Sequence, residues 1–83
     1  MRVIIRNEGS IYVGQVLEHD ICAQGESVDH MMERLAFTVH LETAERGGSL
    51  DGIAPAPQEF HDMWAAAKRF EADDSGYELA LAA

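Results

Sequence analysis

Hydrophobic positions along the chain recur first with a period of two and then with a period near 3.6. Arg2 to Arg6 reads RVIIR. Its centre is β-branched and its ends are charged, which suits a pleated surface. Asn7-Glu8-Gly9-Ser10 follows as a turn cluster, with Gly9 available for a positive φ. Ile11 to Leu17 reads IYVGQVL. Ile11, Val13, Gln15 and Leu17 point one way, and Tyr12, Gly14 and Val16 the other. The two runs lie close in sequence, so they pair as an antiparallel hairpin. Glu18-His19-Asp20 is a polar break. Ile21-Cys22-Ala23 is a short third strand, stopped by Gln24-Gly25-Glu26. Residues 2–25 thus predict a three-stranded antiparallel meander.

Ser27 opens a helix, because its hydroxyl can accept an orphan backbone N–H two or three residues on. The third residue after it is His30, so a capping box is not formed. Asp29 and Glu33 place negative charge near the positive end of the helix dipole. The helix is predicted from Val28 to Glu45, with Gly47-Gly48 as its stop. Val28, Met31, Met32, Leu35 and Val39 form one stripe, expected to cover one face of the sheet. Phe37, Leu41 and Ala44 fall roughly opposite it. Two readings of these three residues stand, and they are not exclusive. Either the segment after the helix folds back over them, or they form a subunit or partner interface.

Residues 46–57, RGGSLDGIAPAP, read as a loop whose end is stiffened by Pro55 and Pro57. A second helix is predicted over residues 58–71. Phe60, Met63, Trp64, Ala67 and Phe70 keep its period, and Trp64 anchors it. Asp73-Asp74-Ser75-Gly76 is a turn. Tyr77 to Ala82, YELALA, reads as a fourth strand, with helix as the competing assignment because Ala and Leu favour it. The fold class is therefore α+β, in the order β-β-β-α-α-β, as one domain over residues 1–83.

Composition narrows the function classes. The chain has 83 residues, 15 acidic against 6 basic, for a formal net charge of −9. At 47% hydrophobic it has enough apolar content for one small core and too much for a disordered chain. The acid excess argues against direct nucleic-acid binding, because a phosphate backbone would repel it. No run approaches the roughly 20 apolar residues of a membrane span, and the first residues lack the apolar core of a leader peptide. Cys22 is the single cysteine, so a reducing cytoplasm is expected.

Candidate chemistry is sparse. Cys22 is expected to be a buried, inert thiol, and His19 lies on the wrong side of the strand to activate it. Asp29, Glu33 and His40 share a flank of the first helix, and His61-Asp62 opens the second, but a solvated edge explains both. Gly47-Gly48 lacks the Lys-Ser/Thr of a P-loop. No catalytic residue, cofactor site or metal site is assigned.

The stretch YVGQVLEHDICAQGESVDHMMERL resembles the HicB-type antitoxin family and its stand-alone HicB-like relatives. The resemblance rests on Tyr12-Val13, the acidic turn Glu18-His19-Asp20, and Gln24-Gly25-Glu26-Ser27 opening the helix. It extends through the IAPAP loop and the terminal helix and strand. Gly25 permits a tight exit from the third strand, and Ser27 caps the helix. The chain departs from the family in having Leu17-Glu18-His19-Asp20 where a Pro-Asp-Leu-Pro-Gly-like turn is common. It also shows no helix-turn-helix or ribbon-helix-helix, so operator binding is not expected.

The resemblance implies a partly ribonuclease-H-like fold without catalytic carboxylates. It further implies a homo-oligomer, dimer or tetramer, and neutralisation of a small basic mRNA-cleaving toxin by occlusion. The charge of −9 suits such a partner. The expectation is a non-enzymatic protein-binding module with Phe37, Leu41 and Ala44 as candidate interface. A stand-alone oligomeric domain binding another protein or a small ligand is the alternative. A small metal-dependent hydrolase is a third reading.

Overall fold

The computed structural model describes residues 1–70 and 76–82. In chain order the elements are β1 (Arg2–Glu8), β2 (Ile11–Val16), β3 (Cys22–Gly25), α1 (Val28–Glu45), α2 (Gln58–Ala66), β4 (Lys68–Arg69) and β5 (Glu78–Leu81). The strands form one mixed sheet in the order β3-β2-β1-β5-β4. β1, β2 and β3 make the expected antiparallel meander, with Val3 opposite Val16 and Gln15 opposite Cys22. The C-terminal strand lies parallel to β1, pairing Val3 with Leu79 and Ile5 with Leu81. This arrangement makes β1 the central strand.

Period-two alternation divides the core between two helices. Val3, Ile5 and Val16 join Ile21 beneath Met31, Leu35 and Val39 of α1. On the opposite face Ile4, Leu17 and Ala80 pack against Trp64 of α2. Trp64 is 5% exposed and anchors its helix as expected. Close approach of α1 to the sheet depends on two glycines. A Cβ on Gly14 would overlap Met31 Sδ, and one on Gly25 would lie 2.6 Å from the Met31 backbone nitrogen. Gly25 is therefore needed for clearance rather than for a positive φ, which it does not adopt.

Helix α1 has the predicted bounds. Ser27 is extended, and its Oγ accepts the His30 N–H at 3.0 Å. At the other end the Gly48 N–H bonds the Thr43 carbonyl, and Gly47 turns the chain with φ 76°. Such a left-handed turn returns orphan carbonyls to use.

Three expectations change. Helix α2 ends at Ala66 instead of running on to residue 71, because Ala67 is extended (φ −83°, ψ 156°). Lys68 and Arg69 then pair with Leu81 and Ala80 as a short fifth strand. Sheet pairing there overrides the helical propensity of the Ala-rich run. Phe70 is consequently not on a buried helix stripe; it is 47% exposed. The order is thus β-β-β-α-α-β-β. The turn expected over 73–76 falls, apart from Gly76, outside the described residues. Cys22 is the third change, since it is exposed. Alternation in edge strand β3 turns Ala23 toward the α1 core and Cys22 to the other face, where the α2 cluster is built on Ile4, Leu17 and Ala80 instead.

Candidate functional site

The outer face of α1 carries the residues that sequence spacing singled out. Met31, Leu35 and Val39 are buried at successive turns. Two residues on from Leu35 the chain has rotated by about 200°, at roughly 100° per residue. Phe37 therefore stands 62% exposed, Leu41 is 43% exposed, and Ala44 is exposed beside them. Glu33 lies one turn before this apolar stripe and Glu45 at its far end, both exposed.

The loop over residues 46–57 does not cover the stripe. It runs instead to the end of the sheet, where the Asp20 N–H bonds the Ala54 carbonyl at 2.7 Å. There the Ala56 N–H also bonds the Leu17 carbonyl at 3.0 Å. Leu50 and Ile53 pack on the α1 core from this end. The fold-back reading of Phe37, Leu41 and Ala44 is thereby corrected, because the Pro-containing loop is tied to the β2–β3 turn. Gln15 fixes that turn from inside. It is buried, and its Nε2 donates to the Val16 carbonyl at 3.1 Å, to Asp20 Oδ1 at 3.0 Å and to the Ile21 carbonyl at 3.2 Å.

The other sequence candidates are scattered. His19 Nδ1 lies 3.0 Å from the Ile53 carbonyl and is engaged in holding the loop. His61 Nε2 meets the Ala56 carbonyl at 3.2 Å, and Asp62 accepts from the Gln58 amide at 3.1 Å. Asp29, Glu33 and His40 are each exposed on α1. Among the described residues no three His, Cys, Asp or Glu side chains come together as a metal-binding group. No helix among them is long and apolar enough to cross a membrane.

Arg2, Arg6 and Arg69, half of the chain's six basic residues, reach the aromatic side chains of α2. The guanidinium carbons of Arg2 and Arg69 sit 5.8 and 5.2 Å from the Trp64 ring centre, and that of Arg6 sits 5.4 Å from Phe60. These are cation–π distances, and they clamp α2 on the sheet. Sequence spacing gives no sign of them, because each pairs residues more than 50 positions apart or on different elements. Arg2 also holds Glu18. Burial works to raise the Glu18 carboxyl. Hydrogen bonds from the Arg2 side chain and backbone, one from its own backbone, and the Arg2 charge outweigh burial and hold it below its ordinary range.

No protein-family model, curated protein or solved structure matches the chain.

Proposed function

We propose that the chain is a non-enzymatic, oligomeric protein-binding module of the HicB-like type. One observation carries this reading: the apolar stripe Phe37–Leu41–Ala44 on the outside of α1 is left open by every other described element. Two large apolar side chains kept in water on one stripe gain nothing for the monomer and support an interaction face. The chain's net charge of −9 favours a small basic partner, and the family resemblance implies an mRNA-cleaving toxin neutralised by occlusion. A meander whose first strand is central and accepts the C-terminal strand in parallel supports the partly ribonuclease-H-like reading.

The experiment is co-expression in the native host with any small basic protein encoded beside this chain. Growth arrest by that protein alone, relieved by this chain and not by its Phe37→Asp variant, supports the proposal. Growth arrest that this chain does not relieve overturns the antitoxin role. The second reading, a stand-alone oligomer that binds a small ligand, is favoured by a cleft beside Arg6.

A further inference from the structure

The seam on the outside of α1 is longer than its apolar part. Arg34, Phe37, Leu41 and Ala44 follow one another at steps of three, four and three residues, and all four are exposed. That spacing is the seam of two helices packed along their length. The inner face, built on Met31, Leu35 and Val39, is already taken by the sheet.

The charges beside this seam fit a second copy of α1 in one direction only. At about 100° per residue, Arg34 and Glu45 lie on the same flank, near its two ends. Among the described residues neither is in an ion pair: Arg46 takes Glu42, Arg2 takes Glu18 and Arg6 takes Glu8. The Arg34 guanidinium touches only the Gln24 carbonyl, at a long 3.4 Å. A parallel copy would set Arg34 beside Arg34 and Glu45 beside Glu45. An antiparallel copy, related by a two-fold axis level with Val39, sets Phe37 against Leu41 and Arg34 against Ala44. Such an axis keeps like flanks together, so Arg34 of each copy meets Glu45 of the other. Ala44 is small enough to leave room for the Arg34 methylenes. Asp29, Glu33 and His40 line the other flank. There the two copies of Glu33 fall about 18 Å apart at 1.5 Å per residue. Glu33 is level with Glu45 of the second copy but stands on the opposite flank. Each chain carries −9, and at physiological salt that repulsion is screened within about 8 Å.

We infer that α1 pairs antiparallel with α1 of a second copy, held in register by two Arg34–Glu45 contacts. This rests on reading the outer face of α1 as an interface, and it adds the partner's direction and register. The test is a charge-reversal cycle of Arg34→Glu, Glu45→Arg and the double variant. Sedimentation equilibrium gives the dissociation constant, and circular dichroism checks each fold.

Each single reversal turns two attractive contacts into two repulsive ones and should weaken association about tenfold. The double variant should return to within about twofold of wild type. Within one chain Arg34 and Glu45 stand roughly 16 Å apart along the helix, too far for either to offset the other. Recovery therefore reports contact between copies. A parallel pair keeps like beside like in all three variants and shows neither loss nor rescue. Where a reversal unfolds the monomer, Arg34→Gln and Glu45→Gln replace it: both remove the same contact, so their combination should weaken association no more than either alone. Single variants that associate like wild type, or a double variant weakened by the product of the two, would overturn the inference. If Leu41→Asp still dissociates the protein in that case, the outer face of α1 remains an interface. A wild-type chain that does not self-associate would overturn this inference together with the oligomeric reading.

Discussion

Arg2 grips Glu18 twice. Its backbone N–H donates to one carboxylate oxygen and its Nε to the other, each at 2.9 Å. The contact joins the start of the central strand to Glu18, two residues beyond β2, next to the turn that anchors the loop of residues 46–57. The same Arg2 side chain stacks on Trp64, so one residue ties the hairpin to α2.

This pair sets a pH dependence. The folded state holds Glu18 below its ordinary value of 4.5. A depressed carboxyl pKa contributes stability that is present above the unfolded value and lost as pH falls through the folded one. The side chains are about a third exposed or more, so solvent screening keeps the contribution small. Urea unfolding at a series of pH values descending through 4.5 should show a shallower acid limb for Glu18→Gln than for wild type. Identical limbs would remove Glu18 from the account.

Trp64 closes the α2 side of the core on Ile4, Leu17 and Ala80. Trp64→Ala should cost about 3–5 kcal/mol, the usual range for emptying a buried aromatic site. Equilibrium denaturation measures it. A cost below about 1 kcal/mol, the scale of ordinary surface changes, would mean α2 is only loosely attached.

Gly25→Ala should destabilise the fold even though its φ is ordinary. The new methyl would meet the Met31 and His30 backbone, which cannot rotate away as a side chain can. Overpacking of this kind costs about 1–3 kcal/mol. A denaturation midpoint unchanged from wild type would show that α1 can lift from β3 without penalty.

Phe37 should behave in the opposite way. No described residue buries it, so Phe37→Ser should leave the monomer's stability within about 0.5 kcal/mol. Its effect should be seen in association instead. A large loss of monomer stability would make Phe37 part of a core.

Much of this architecture was legible in the sequence. Ser27 and Gly47-Gly48 delimit α1 chemically, and the 3.6 period of Met31, Leu35 and Val39 fixes its inner face. The exposure of Phe37 and Leu41 follows from the same rotation. The end of α2 was not legible, because Ala65-Ala66-Ala67 favours helix locally and only the edge of β5 draws Lys68 and Arg69 into the sheet. Nor was the parallel placement of β5, which depends on the path of the chain through two helices. The exposed Cys22 was missed for a related reason. A short apolar run shows that a strand is present, but not that the second helix packs on Ile4 and Ala80 and leaves the Cys22 side open. The Arg2 and Arg6 contacts with the aromatics of α2 are long-range, and that of Arg69 forms only because the chain leaves α2 for β4, so none leaves a periodic trace.

The central claim is that the outer face of α1 joins this chain to another protein, first of all to a second copy of itself. The most direct measurement is light-scattering mass during size exclusion, for wild type and for Leu41→Asp, with a thermal unfolding curve for each. The account predicts a wild-type mass two or four times the 9.1 kDa chain. It predicts a folded single-chain mass for Leu41→Asp, with its cooperative transition retained. A single-chain mass for wild type, or a Leu41→Asp protein that loses its fold, would contradict it.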